Sequence, residues 1–368
     1  MPSSIPIAKL IQQAEKEWEQ ARLRDANLQK AWTNINGVLS KGTMQSIQAG
    51  IELIMQLGWT QSLAKYLEKD EYGSWNIAKF ISTHEHPIWA CAILGCAYKS
   101  IERGENSWLV QLCEEDISRL AVLAGRVDGL TVVPEWLGEF LLPALMEMRT
   151  VPKGTYWIEA QGTKRNIHCA GFDVCVFPIT QFVYAYLMEE NPSQCYGWVN
   201  PVDSISWLQA VEFCNQISVI SELEPVYQIQ ENNVIINATA NGFRLPTIEE
   251  WQIAAVFDTP NTMYAGGTNM VDVGICNAQN SEPVGKYRPN ALGLYDMSGN
   301  VWEWCVEHDT WYAYRKGGSW MGTEDACAVD YTSRRWKEFI SGTQGFRLFR
   351  NIETEVLHTE PGEERWFS

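Results

Sequence analysis

The stretch NALGLYDMSGNVWEWC, residues 290–305, decides how this chain is read. Gly293 and Gly299 fall where a backbone turns sharply or is closely approached. Before it, in order, come FPITQFVYAYLMEENP (177–192), PVDSISWLQAVEFCNQIS (201–218) and GFRLPTIEEWQIAAV (242–256). After it come RKGGSW (315–320) and GFRLFR (345–350). Two helices are legible in this part of the chain. One runs from about Trp207 to Val219 and buries Trp207, Val211, Phe213 and Cys214. The other runs from Thr247 to about Val256, with Thr247 as its cap and Glu249 and Glu250 in the first turn, where the helix dipole favours them. Before them lie short β-like segments such as Thr155–Ala160 and Phe172–Ile179, and Gly and Pro are dense throughout this part.

Residues 1–150 follow a different pattern. Ile7, Leu10, Ile11, Ala14, Trp18, Ala21, Leu28 and Trp32 recur at steps of three or four and predict one long amphipathic helix, ended at Asn36-Gly37. Met44, Ile47, Ile51, Ile54 and Met55 predict a second, stopped at Gly58. Further helices are expected near 61–69, 74–82, 87–101, 107–125 and 134–148. The fold class is therefore α+β, an all-helical domain over 1–150 followed by an irregular domain over 151–350 and an acidic tail over 351–368. The boundary is placed at 149–153. Trp18, Trp32, Trp75, Trp89, Trp108 and Trp136 are read as core, and His84 and His86 as part of a solvated loop rather than a metal site.

The formal charge of the 368 residues is −17. Residues 1–150 carry 14 basic and 18 acidic side chains and residues 151–368 carry 14 and 27, a net −4 and −13. That field repels nucleic acid and anionic membrane surfaces, so neither is expected as a partner. The longest apolar run, Pro87 to Tyr98, is too short to span a bilayer. The ten cysteines form no CxxC pair, which with the absence of a secretory pattern at the start predicts a reduced, cytoplasmic protein.

The six segments in this order resemble the formylglycine-generating enzyme, or sulfatase-modifying factor, family over roughly 151–350. The resemblance implies a compact C-type-lectin-like fold with many loops. It also implies calcium on DMSGNVWE. Asp296 and Glu303 match the side-chain ligands, and Gly299 and Val301 match positions that serve through their carbonyls. Calcium takes six to eight hard oxygens, and this segment mixes both kinds. A second family site would use Asn277 and the carbonyl of Ala278, but NSEPVGKYRPN (280–290) supplies no aspartate partner.

The sequence departs from the enzyme at its chemistry. The oxidase binds copper through two cysteines after the Gly-Gly-Ser segment, because soft thiolates suit Cu(I). Here the first of those positions is Gly322, and only the second, Cys327, remains. A related branch that carries three iron-binding histidines on a helical domain is excluded, since 1–150 holds only His84 and His86. A branch acting in siderophore maturation also lacks the cysteine pair.

The expectation is thus a non-catalytic recognition protein, similar to relatives that include the retroelement-diversified variable proteins. Those relatives present the side chains between GGSW and GFR to a ligand. The matching residues are Trp320, Tyr331, Arg334, Arg335, Trp336 and Phe339, the aromatic and arginine chemistry of interface hot spots. The partners expected are a protein or peptide ligand for 151–350 and a protein for the helical half. An adaptor of that kind suits bacterial conflict and defence systems. An oxidase or related modifier of a peptidyl or small-molecule substrate is the competing expectation.

Overall fold

The computed structural model of the chain describes single positions between 34 and 41, residues 44–56, 87–103 and 114–127, and residues 130–352 apart from 161–162, 231–232 and 308. The helices expected near 7–32, 61–69 and 74–82, the histidines at 84 and 86, and the tail from 353 lie outside these residues. The chain divides into two compact units between Ala144 and Leu145.

The described part of the first unit is helical: α1 (Met44–Gln56), α2 (Pro87–Glu102), α3 (Glu114–Ala124) and α4 (Glu135–Leu145). The apolar spacing explains α1, whose Ile47, Ile51 and Ile54 are all buried. Helix α2 is apolar on most sides, burying Ala90 to Ala97 without a break, and it packs against both α1 and α3. Of the six tryptophans assigned to this core, Trp89 and Trp136 are described, and both are half-buried. No helix among the described residues is long and apolar enough to cross a membrane.

The helix expected to run to residue 148 ends at Leu145, and Met148–Val151 is already a strand, β1, paired antiparallel with β4 (Phe172–Cys175). The boundary therefore falls a few residues earlier than the sequence pattern places it. One sheet of the second unit has the order β1-β4-β12-β7, where β7 is Phe243–Arg244 and β12 is Phe349–Asn351. The other has the order β10-β9-β8-β11: Ser333–Trp336, Tyr312–Lys316, Trp302–Glu307 and Gln344–Gly345. Hairpins β2–β3 (Gly154–Ala160, Thr163–Cys169) and β5–β6 (Tyr227–Gln230, Asn233–Ile236) complete the strands.

Three helices of eight or more residues brace these sheets: α5 (Gln181–Met188), α6 (Trp207–Ile220) and α7 (Ile248–Ala255). Ser206 and Thr247 close complete capping boxes, with Gln209 and Glu250 reaching back to the cap N–H groups. Glu250 is held in turn by a bidentate pair with Arg244, at 2.7 and 2.8 Å. Thr247→Ala is expected to lower the unfolding free energy by about 1 kcal/mol in urea titration, as loss of an N-cap does; no change would mean that Glu250 and Arg244 hold the turn alone.

Candidate functional site

The site is built around β8, β9 and the loops that meet them. Glu303 on β8 is wholly buried, and its charge is answered from inside the protein. Arg347 Nε donates to its two oxygens at 3.0 and 3.1 Å, and Arg347 Nη2 donates to Oε1 at 2.8 Å. Trp251 Nε1 on α7 donates to Oε2 at 2.7 Å. The other guanidinium N–H groups go to the carbonyls of Cys175 (2.8 Å), Val176 (2.7 Å) and Tyr295 (2.6 Å). A buried pair that satisfied is costly to break, because removing one member leaves the other charged in a low dielectric.

The segment before β8 is equally committed. Asn300 receives the Glu282 N–H on Oδ1 at 3.1 Å and donates Nδ2 to the Glu282 carbonyl at 3.0 Å. Its backbone bonds the Ile275 carbonyl and the Trp320 N–H, so one residue joins three loops. Asp296, in the left-handed region at φ 58°, accepts the Gly285 N–H on Oδ2 at 2.8 Å. Gly299, at φ 83°, approaches the Ile275 carbonyl so closely that no side chain fits there.

Of the four residues expected to hold calcium, both carboxylates are already engaged by protein donors. Glu303 belongs to Arg347 and Trp251, Asp296 turns one oxygen onto a backbone donor, and Gly299 serves a close backbone approach. Asp296 and the carbonyls of Gly299 and Val301 would need Glu303 or water to reach six to eight oxygens. Among the described residues no group of three His, Cys, Asp or Glu side chains could hold a metal. At the second family position, which the sequence leaves without an aspartate partner, the Asn277 and Ala278 N–H groups donate to the carbonyls of Gly322 (2.9 Å) and Trp320 (2.7 Å). Glu282, the acid that follows, pairs with Lys286 at 3.0 Å and accepts the Tyr287 hydroxyl at 2.6 Å.

Cys327 is fully buried at the end of a short 3-10 turn, Glu324–Cys327. Gly318, at φ 74°, lets the backbone pass against its sulfur. Burial pushes the Cys327 thiol up to about 12, so it carries no thiolate near neutrality. A residue the sequence reading did not single out, Cys276, packs beside it with the two thiols within hydrogen-bonding reach. Gly322 is not forced by sterics, since an added Cβ would meet the Ser319 carbonyl at 3.3 Å, tight but not prohibitive.

Strand β10 brings together most of the expected ligand-facing residues. Trp336 lies opposite Tyr312 in register, with ring centroids 4.4 Å apart, and the Arg334 guanidinium lies 5.1 Å from the Tyr312 ring. By the alternation of the strand, Arg335 takes the other face with Arg315 and Ser333. There Arg335 and Arg315 both lie over Phe339, and Arg315 lies 4.2 Å from the Trp302 ring, itself 6.1 Å from Tyr331. Tyr331, Arg334, Arg335 and Trp336 are exposed and Phe339 is half-buried. Trp320 is the exception, buried with its indole N–H bonded to the Gly342 carbonyl at 2.9 Å, and it anchors the loop instead of facing a ligand. Lys316 holds the segment before β10 in place. Its buried ammonium donates to the carbonyls of Val329 and Tyr331, both at 2.7 Å, and to Thr332 Oγ1 at 3.2 Å.

A mixed unit with this loop core defines a class, and the comparisons name it. Residues 142–352 match the model of the sulfatase-modifying factor enzyme 1-like domain, and the chain belongs to that family. It is 32% identical over 232 residues to the chaperone protein LppX of Paenibacillus barcinonensis, covering 51% of this chain and 82% of that one. It is 32% identical over 117 residues to the formylglycine-generating enzyme of Thermomonospora curvata, covering 27% of this chain and 36% of the enzyme. Treponema denticola variable protein 1 shares the fold, with a TM-score of 0.52 at 23% identity over 55% of this chain and 94% of its own.

Chelation tests whether the Arg347–Glu303 pair holds this loop without a cation. A calcium ion held at a hundred times its Kd adds about 2.7 kcal/mol, several degrees for a domain of this size. EDTA is expected to shift the thermal midpoint by less than about 1 °C, read by calorimetry; a fall of several degrees restored by calcium would return the ion to this loop.

Proposed function

We propose that the second unit is a recognition domain that presents the exposed β10 edge of its second sheet, with the adjoining residues Tyr331 and Phe339, to a protein or peptide ligand, and that it does not act as an oxidase. The observation that carries this reading is the grouping of exposed Tyr331, Arg334, Arg335 and Trp336 on one edge of a rigid sheet. Aromatic rings with guanidinium groups over them are what hot spots are made of, and Lys316 and Trp320 pin the flanking loops so that little order is lost on binding. The oxidase chemistry lacks its parts: Gly322 stands at one thiol position and the other thiol is buried and protonated.

Similar proteins favour the same direction. LppX is named a chaperone protein, and it matches this chain over 82% of its own length. A lectin-like arrangement of the loops, a cytoplasmic setting and a place in a defence system belong to this proposal. So does a protein partner for the helical unit, for which its amphipathic helices are the support.

Capture from a lysate of the native host tests the reading. The wild-type chain and Cys327→Ser are expected to retain the same partner, while Arg334→Ala combined with Trp336→Ala loses it by at least about tenfold, as paired hot-spot truncations do. Retention that follows Cys327 and ignores β10 would reinstate the thiol chemistry.

A further inference from the structure

Arg315 carries a charge that the fold does not answer. Its side chain is 5% exposed, yet its bonds go only to neutral groups: Nε to Ser333 Oγ at 3.2 Å and Nη1 to Gln344 Oε1 at 3.2 Å. Among the described residues it has no carboxylate partner, whereas the comparably buried Arg347 is met by Glu303. The contrast is sharp in a chain with 45 acidic residues and a net charge of −17. Its Nη2 edge makes no hydrogen bond within the described residues. Burial, and then the like charge of Arg335, push the Arg315 pKa down to about 9. Two guanidinium groups beside one aromatic ring, one of them desolvated and neither neutralised, form an arrangement that a bound anion relieves.

Resting on the recognition reading above, we infer that Arg315 and Arg335, framed by Trp302, Tyr331 and Phe339, hold a carboxylate of the bound peptide. A planar carboxylate matches the open edge of the Arg315 fork. A phosphate is disfavoured, because residues 151–368 carry a net −13 and repel a dianion more than a monoanion. The rings on either side take the apolar residue next to the acid, and Arg315 itself is kept in place by its stacking on Trp302. The carboxylate is an Asp or Glu side chain or a chain terminus, which share this chemistry.

The experiment uses the full chain and an array of random peptides, each made with Glu and Asp, with Gln and Asn in their place, with phosphoserine in their place, and with free or amidated C-termini. Wild-type protein is expected to favour the carboxylate form of its best peptides by about tenfold or more. If the side chain is the source, amidation leaves that preference intact; if the terminus is, amidation removes it. Arg315→Gln is expected to abolish the preference while leaving the thermal midpoint unchanged or raised, because the arginine is uncompensated in the free protein. Peptides bound through Trp336 and Arg334 with no preference for the acid would overturn the inference and leave the recognition face standing. A phosphoserine preference would overturn the choice of anion. Absence of any bound peptide would overturn both readings, and a large fall in the midpoint of Arg315→Gln would make Arg315 a structural residue.

Discussion

The pair of Arg347 and Glu303 is the constraint on which the second unit depends. Every N–H direction of that guanidinium is used, toward Glu303, the end of β4 and the Tyr295 carbonyl, and Trp251 adds α7 to the same carboxylate. One residue thus ties together the sheet β1-β4-β12-β7, the loop that enters β8, and the helix that packs on β8 and β9. A polar centre of this kind carries a large penalty if it is half-made, so it selects a single arrangement of loops with little regular structure of their own. The Asn300 junction and the Lys316 clamp repeat the device on a smaller scale, using backbone carbonyls as partners.

Because the loops are fixed from inside, the outer edge of the second sheet is left to function. Strand β10 is the terminal strand of its sheet, and its side chains are either stacked on β9 aromatics or turned toward Phe339. The thiol region lies elsewhere, under Gly318 and beside Cys276, and is closed by packing. What distinguishes the two arginines of the centre and the rim is their company: Arg347 has a carboxylate, and Arg315 has two neutral oxygens and two rings.

Local features were legible in the sequence and long-range ones were not. Thr247, Glu249 and Glu250 announce a helix start within four residues, and the capping box is there. The spacing of Trp207, Val211 and Cys214 likewise marks α6, and all three are buried. Helix α5 went unread because Thr180 is a modest signal inside an aromatic run that suits strand or helix alike. The pairing of Glu303 with Arg347 was not legible, because the two lie 44 residues apart and no spacing rule connects them. Trp320 was misplaced for the same reason, its acceptor Gly342 being brought close only by the fold. Tyr331, Arg334, Arg335 and Trp336 were placed on a surface correctly, while Arg315, two residues before the glycine pair, gave no sign of being buried without an acid.

That one internal ion pair organises this unit is tested most directly by a double-mutant cycle. Glu303→Gln, Arg347→Met and the double variant would be unfolded in urea beside the wild type. Each single change is expected to cost about 3–5 kcal/mol, and the double change about 2–3 kcal/mol less than their sum. Costs that simply add, or single variants as stable as the wild type, would contradict it.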